Sequence, residues 1–176
     1  MFDLTQQRYC PFCGGTELER IPQRMTRCGT CGSELFQNAS AAVSVVLQLP
    51  DGRVVLAQRA HDPNKGKWDF PGGFVDAPES FEDAAVREIH EELGITLSPS
   101  VLRYLCSGSF TYPYKGVTTL GVDIHFLAPI SEETYAQCRA ADDVAQIALY
   151  DPREISRTLV SCDSVYRAVT ALRVIQ

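Results

Sequence analysis

Apolar residues alternate with period two at Val43, Val45, Leu47 and Leu49 and again at Val55 and Ala57. Pro50-Asp51-Gly52 between them is turn chemistry, so the two runs predict a β-hairpin. Further strands are expected at 101–109, at 120–127, where Leu120, Val122, Ile124 and Phe126 alternate, and at 144–150. Two segments carry the helical period instead. Ala85, Val86, Ile89 and Leu93 share one face of a helix over 81–93, and Val165, Val169 and Leu172 share one over 163–175. The first of these has well-marked ends, because Ser80 followed by Asp83 is a capping-box pattern and Gly94 a stop. A shorter helix is expected at 132–141. The mixture predicts one α/β core, with no internal repeat or low-complexity stretch.

A length of 176 residues gives room for one catalytic domain of ordinary size and a small appendage, and 45% hydrophobic with 22% charged residues is the balance of a folded chain. Sixteen basic against 22 acidic residues leave a net charge of −6. That balance weighs against charge-driven binding to nucleic acid or to an anionic membrane and favours small ligands as partners. No apolar run approaches the roughly 18–20 residues that span a bilayer. The polar start, residues 1–8, lacks a basic-then-apolar export signal, so a cytoplasmic location is expected.

The cysteines are unevenly spread. Cys10-Pro-Phe-Cys13 and Cys28-Gly-Thr-Cys31 form a C-x2-C-x14-C-x2-C pattern, while Cys106, Cys138 and Cys162 stand alone. A C-x2-C turn brings two thiolates to one ion, and two such turns supply the closed tetrahedral sulfur set that zinc takes at structural sites. Residues 1–36 are therefore expected to be a zinc ribbon. Its ion, held by Cys10, Cys13, Cys28 and Cys31, supplies stability that about 35 residues cannot gain by burial alone. Four thiolates leave no open position for catalysis, so this zinc is expected to be scaffold, and the three lone cysteines small buried hydrophobes.

The first long helix is where chemistry is expected. Glu79, Glu82 and Asp83 sit at its start, where the helix dipole favours negative charge. Glu88, Glu91 and Glu92 lie in the last two turns, where the dipole disfavours anions, and their i, i+3, i+4 spacing makes them repel. Arg87 can pair with Glu91 or reach back to Glu79, but one guanidinium cannot neutralise all three. A solvated acidic face accounts for the charges taken alone. Pro71-Gly72-Gly73 upstream changes the balance, because it lets the backbone approach a ligand and add a carbonyl to an oxygen-rich shell. Such a shell suits Mg²⁺ or Mn²⁺ and points to phosphate chemistry.

The string Gly73-x5-Glu79-x7-Arg87-Glu88-Ile89-x-Glu91-Glu92-x-Gly94-Ile95 resembles the Nudix box of the Nudix hydrolase family at every defined position. Arg59, Trp68, Pro71 and Gly72 before it, and the strand pattern after it, extend the resemblance over residues 37–176. The resemblance implies an α/β/α sandwich with a mixed sheet. It implies a Mg²⁺- or Mn²⁺-dependent pyrophosphohydrolase of a nucleoside diphosphate derivative, in which an activated water attacks phosphorus in line. As metal ligands it implies the Gly73 carbonyl, Glu88, Glu92 and, as a further candidate, Glu91, with Arg87 and Glu79 orienting the carboxylates. The general base stays open among Glu91, Glu132, Glu133, Asp142 and Asp143. Arg59 and Lys67 are candidates for phosphate contact, and Phe110 and Tyr112 for stacking on a base; solvated surface and strand core are the plainer readings of each.

A zinc ribbon before such a domain resembles the NADH pyrophosphatase branch and also ADP-ribose pyrophosphatase-like members. That branch carries S-Q-P-W-P-F-P-x-S after the box. Here Ser107-Gly108-Ser109-Phe110-Thr111-Tyr112-Pro113-Tyr114-Lys115 keeps the first serine, both aromatic positions and the final proline. NADH, NAD⁺ and ADP-ribose therefore all stand as substrates. A nucleotide-sensing regulator without turnover is one alternative, disfavoured by the complete glutamate set and the lack of a basic DNA-reading helix. RNA-end processing is another, opposed by the net charge unless Arg20, Arg24, Arg27 and Lys67 form a local basic groove. The resemblance suggests a homodimer. His90 reads as surface and His125 as a residue on the sheet face opposite Ile124 and Phe126 with no task, while His61 is a weak candidate for substrate contact.

Overall fold

The structure, a computed structural model, describes residues 7–22, 24–114 and 116–175. Residues 1–6 of the expected ribbon and Lys115, which ends the aromatic stretch, lie outside them. Near the N-terminus β1 (Leu18–Ile21), β2 (Met25–Cys28) and β3 (Glu34–Phe36) form a small antiparallel sheet with β2 in the middle. Its buried residues are few, Cys10, Met25, Thr26 and Cys28, too little apolar surface to hold a sheet by burial.

The remaining strands are β4 (Ser40–Gln48), β5 (Val54–Arg59), β6 (Trp68–Asp69), β7 (Gly72–Phe74), β8 (Arg103–Tyr114), β9 (Val117–Pro129) and β10 (Val144–Tyr150). They make one mixed sheet ordered β10-β5-β4-β9-β8, with β6 paired to β5 and β7 to β4. Successive residues of β4 enter different layers. Val43, Val45 and Leu47 pack with Ala85, Ile89 and Leu93 of α1 (Phe81–Leu93). Val46 joins Val54 and Leu56 against Val165, Val169 and Leu172 of α3 (Asp163–Ile175). A strand covered on both faces reads as a near-continuous apolar run, and helices on both sides make the expected α/β/α sandwich.

The hairpin expected between residues 43 and 57 survives only at its root. β4 and β5 share the pair Gln48↔Val54, whereas β4 runs parallel to β9 from Ser40↔Gly121 to Gln48↔Pro129. The other edge of β4 is divided, with β5 at its end and β7 at residues 42–44. Alternation tells which face a residue takes but not which strand lies alongside. The strand expected at 101–109 is the beginning of β8, which pairs with β9 in a long hairpin from Arg103↔Leu127 to Tyr114↔Val117. The short helix, α2 (Glu132–Gln137), stops before the expected 141 because the chain turns to α1: Arg139 N–H donates to Leu93 and Ala141 N–H to Glu92. Among the described residues no helix is long and apolar enough to cross a membrane.

Candidate active site

Local chemistry fixes the helix that carries the acidic residues. Ser80 Oγ accepts the Asp83 N–H at 3.1 Å, and Gly94 takes the left-handed conformation with its N–H on the His90 carbonyl. The glycine loop then meets the helix closely. Gly72 has φ of 148°, and a Cβ there would lie 2.6 Å from Ser44 Cα and against the Val43 carbonyl. A Cβ on Gly73 would run into the carboxylate of Glu88, 2.6 Å from its Cδ. Both positions therefore need glycine for space, one against backbone and one against a carboxylate.

Arg87 engages every N–H of its guanidinium. Nε and Nη2 fork onto Glu79 at 2.8 and 3.0 Å, Nη1 donates to Glu88 at 2.7 Å and to Glu91 at 3.0 Å, and Nη2 also donates to the Phe74 carbonyl at 3.0 Å. This pairing holds the Glu79 carboxyl below its ordinary range. One positive charge is thus shared by Glu79, Glu88 and Glu91, too little for all of them, as the sequence leads one to expect, and the third late glutamate, Glu92, has no share of it. Glu92 is 8% exposed, not on an open face as its acidic neighbours suggested, and accepts the Gly72 N–H at 2.9 Å. Burial pushes its carboxyl up to about 8; the Gly72 N–H opposes this, and Glu88, Asp69 and Asp142 reinforce it. Burial raises Glu88 as well, against the pull of Arg87.

Two raised carboxyls beside the Gly73 cradle, Glu92 buried and Glu88 half-buried, are a site short of positive charge. The donors are hard oxygens, which fits Mg²⁺ or Mn²⁺. Glu91 is 46% exposed and turned onto Arg87. Among the described residues the only set of three or more His, Cys, Asp or Glu donor atoms all within 4.8 Å of one another is Cys10, Cys13, Cys28 and Cys31. There Cys10 and Cys31 approach to 3.7 Å, as do Cys13 and Cys28. The Ser33 hydroxyl draws Cys10 down to about 6, while the other three sulfurs overcome the Gly15 N–H and push Cys13 up to about 12. Four thiols gathered this closely are a fitting tetrahedral set for zinc.

Two adjoining clefts open beside the glycine loop and share Arg59, Asp69, Gly72, Gly73, Phe74 and Tyr112. The polar one also holds Glu92, His61, Asp62 and Asp143. The aromatic one gathers Phe74 with Phe110 and Tyr112 at ring distances of 6.1 and 5.5 Å. Arg59 is held by Asp69 at 3.1 Å and by the Pro63 carbonyl at 2.8 Å. Lys67 instead donates to the Thr158 carbonyl at 2.7 Å, outside the lining of both clefts. Of the base candidates, Asp142 acts on Glu88 and Glu92, and Asp143 faces His61 at 3.7 Å. Glu132 pairs with Arg53 at 3.6 Å beside the β4–β5 turn, and Glu133 lies next to it in α2. His90 is exposed as expected.

Sequence reading missed Asp69, Phe74 and the surroundings of His125. His125 is 1% exposed and bonded through both ring nitrogens, to Ser44 at 2.6 Å and Ser164 at 3.0 Å. Its position opposite Ile124 and Phe126 is as expected, but that face is closed by α3. The alternation Asp123-x-His125 was the available signal, since two ionisable residues on one face of a strand need partners if that face is covered.

Residues 39–168 match the family described as a NUDIX domain. The chain is 31% identical over 106 residues to a protein of Vibrio parahaemolyticus called NAD-capped RNA hydrolase NudC, covering 60% of this chain and 39% of that one. It is 31% identical over 117 residues to an ADP-ribose pyrophosphatase of Methanocaldococcus jannaschii, covering 66% and 64%. Each match spans less than two thirds of the relative's length. A solved MutT NUDIX hydrolase of Burkholderia pseudomallei superposes with a TM-score of 0.63 at 26% identity, over 76% of this chain and 98% of that one.

Proposed function

The chain belongs to the Nudix family, and from that premise we propose that it is a Mg²⁺- or Mn²⁺-dependent pyrophosphohydrolase of an adenosine diphosphate derivative such as NADH, NAD⁺ or ADP-ribose. The observation that carries this reading is the pair of half-buried Glu88 and buried Glu92, raised in pKa and turned to Gly72-Gly73 at the mouth of two clefts. A cation bound there would supply polarisation of the phosphoryl oxygens and a water of lowered pKa. Glu88, Glu92 and the Gly73 carbonyl would hold it, with Glu91 at the rim, while Arg87 locks Glu88 and Glu91 in place. Arg59, oriented by Asp69, binds phosphate, and Phe74, Phe110 and Tyr112 receive the base. Asp142 and Asp143 are the base candidates beside the cleft. β1, β2 and β3 with the four cysteines form a small ribbon in which Cys10, Cys13, Cys28 and Cys31 hold a structural zinc.

Product analysis tests this directly. AMP together with the partner monophosphate should appear from NADH, NAD⁺ or ADP-ribose only when Mg²⁺ or Mn²⁺ is present. The Glu92→Gln variant should lose activity on the order of a hundredfold or more, the share a bound Lewis acid contributes. Absence of turnover on all three substrates overturns the reading. A second reading, attack on the same linkage at the 5′ end of NAD-capped RNA, is supported by the name of the Vibrio relative. Against it stand the net charge of −6 and the pairing of Arg27 with Glu34 and Glu19. Capped RNA in the same assay decides, with a steep salt dependence expected if RNA is the substrate.

A further inference from the structure

The aromatic cleft is bordered by a buried polar network that cutting a diphosphate does not use. Ser44 on β4, Asp123 and His125 on β9 and Ser164 on α3 are all less than a tenth exposed, and the first three line the cleft. Ser164 Oγ donates to Asp123 Oδ1 at 2.5 Å. Having spent its one proton, it accepts from His125 Nε2, 3.0 Å away. Nδ1 of the same ring lies 2.6 Å from Ser44 Oγ. Asp123 Oδ1 also accepts the Gly108 N–H at 3.1 Å, from a position where any Cβ would fall 2.8 Å from Ser164 Cβ.

A serine, a histidine and an aspartate in contact invite comparison with a hydrolytic triad, but Ser164 is 2% exposed and the hydroxyls of both serines are engaged. Neither is free to attack a substrate. What the network produces is a carboxylate fixed on one side. Its Oδ1 is held by β8 and α3, whereas Oδ2 makes only the longer, 3.5 Å approach to His125 Nε2. Burial works against the charge of Asp123, yet hydrogen bonds from His125, Ser164 and Gly108 hold its pKa below the ordinary value.

A fixed anion is a poor neighbour for phosphate and a strong acceptor for N–H. The same cleft carries the Phe74, Phe110 and Tyr112 rings, surfaces on which a planar heterocycle stacks. We propose that Asp123 is the residue by which this chain selects its nucleobase, with Oδ2 accepting an N–H from the edge of an amino-bearing purine. In the substrates proposed above, on whose binding at this site the inference rests, that donor is the 6-amino group of adenine. Bases with no donor at that edge leave a buried carboxylate unpaired and are rejected.

Binding measured without turnover tests the assignment. AMP and purine riboside 5′-monophosphate, identical but for the 6-amino group, are titrated calorimetrically into the full chain. AMP should bind at least about tenfold more tightly, the scale of a hydrogen bond to a charged group. Asp123→Asn keeps an oxygen for Gly108 and Ser164 and turns its amide NH₂ to the cleft, so the two ligands should then bind within about twofold of each other. Equal affinities in the unmodified chain, no binding of AMP, or an undiminished preference in a folded Asp123→Asn variant overturns the assignment. The unmodified chain decides even if the variant does not fold. Hydrolysis of ADP-ribose on the same preparation separates the two readings. Turnover without base preference removes the role of Asp123 and keeps the reaction, while preference without turnover does the reverse.

Discussion

Glu92 accepts the backbone N–H of Gly72 at 2.9 Å, and that single hydrogen bond is what the loop offers a carboxyl buried to 8% exposure. Without a divalent cation its pKa stands at about 8 in the folded chain, against an ordinary 4.5. Between those values the folded state holds a proton that the unfolded state lacks. The stabilising contribution is therefore complete below the lower value and lost as pH rises through the upper one. Thermal melts without added Mg²⁺ or Mn²⁺ should show Tm falling across that window, and Glu92→Gln should flatten the fall. Near neutral pH, Mn²⁺ uptake should release up to about one proton, read as a binding heat that changes with the buffer. A buffer-independent heat would remove Glu92 from the site of binding.

Arg87 illustrates why a charge-conserving change can be severe. Five N–H groups meet four different residues, Glu79, Glu88, Glu91 and Phe74. A lysine ammonium offers three donors at one point and cannot span them. Arg87→Lys should cost about 2 kcal/mol in urea unfolding, the scale of charged hydrogen bonds left unmade. It should also lower kcat/KM, since Glu88 loses its anchor. An unchanged urea midpoint would show that the fork contributes nothing to folding.

What the sequence exposes and what it hides divides along the range of the interactions. The ends of α1 were legible because Ser80 and Gly94 act within one turn of the helix. The burial of Glu92 was not, because helical period places it with Glu88 and Glu91, and only the approach of Gly72 from outside the helix covers it. The parallel pairing of β4 with β9 was hidden for a related reason, since both faces of β4 are apolar and either edge could have taken any partner. Phe110 and Tyr112 stood out as aromatic positions, but their partner Phe74 lies on a three-residue strand too short to show a period. The Asp123–His125 network draws on β4, β8, β9 and α3 at once, so no local window contains it.

Gly72 and Gly73 are neighbours with different obligations, and alanine should separate them. At Gly72 the added Cβ meets the Val43 carbonyl and lies 2.6 Å from Ser44 Cα, both backbone of the central strand, and a φ of 148° is itself strained for alanine. At Gly73 it meets the carboxylate of Glu88, the end of a side chain that can rotate away. Gly72→Ala should destabilise by several kcal/mol, roughly 3 or more, through steric and backbone strain. Gly73→Ala should cost about 1 kcal/mol in stability and still abolish most turnover, because Glu88 leaves its position. Paired urea melts and rate measurements would expose the error if both variants lost stability equally.

The cysteine cluster should behave as a separate staple. Four sulfurs within 4.8 Å are a ligand set that a divalent ion can clamp, and β1, β2 and β3 bury little else. A zinc-selective chelator should therefore raise hydrogen exchange in β1, β2 and β3 to the level of an open chain and leave α1 and β4 protected. Cys28→Ser, which removes the most buried ligand, should have the same effect. Turnover with saturating Mg²⁺ should persist while the ribbon opens, because Glu88 and Glu92 rest on Gly72, Gly73 and Arg87, all of them outside it. Loss of activity in step with zinc, before any change in exchange, would assign the ion a part in catalysis and not in folding.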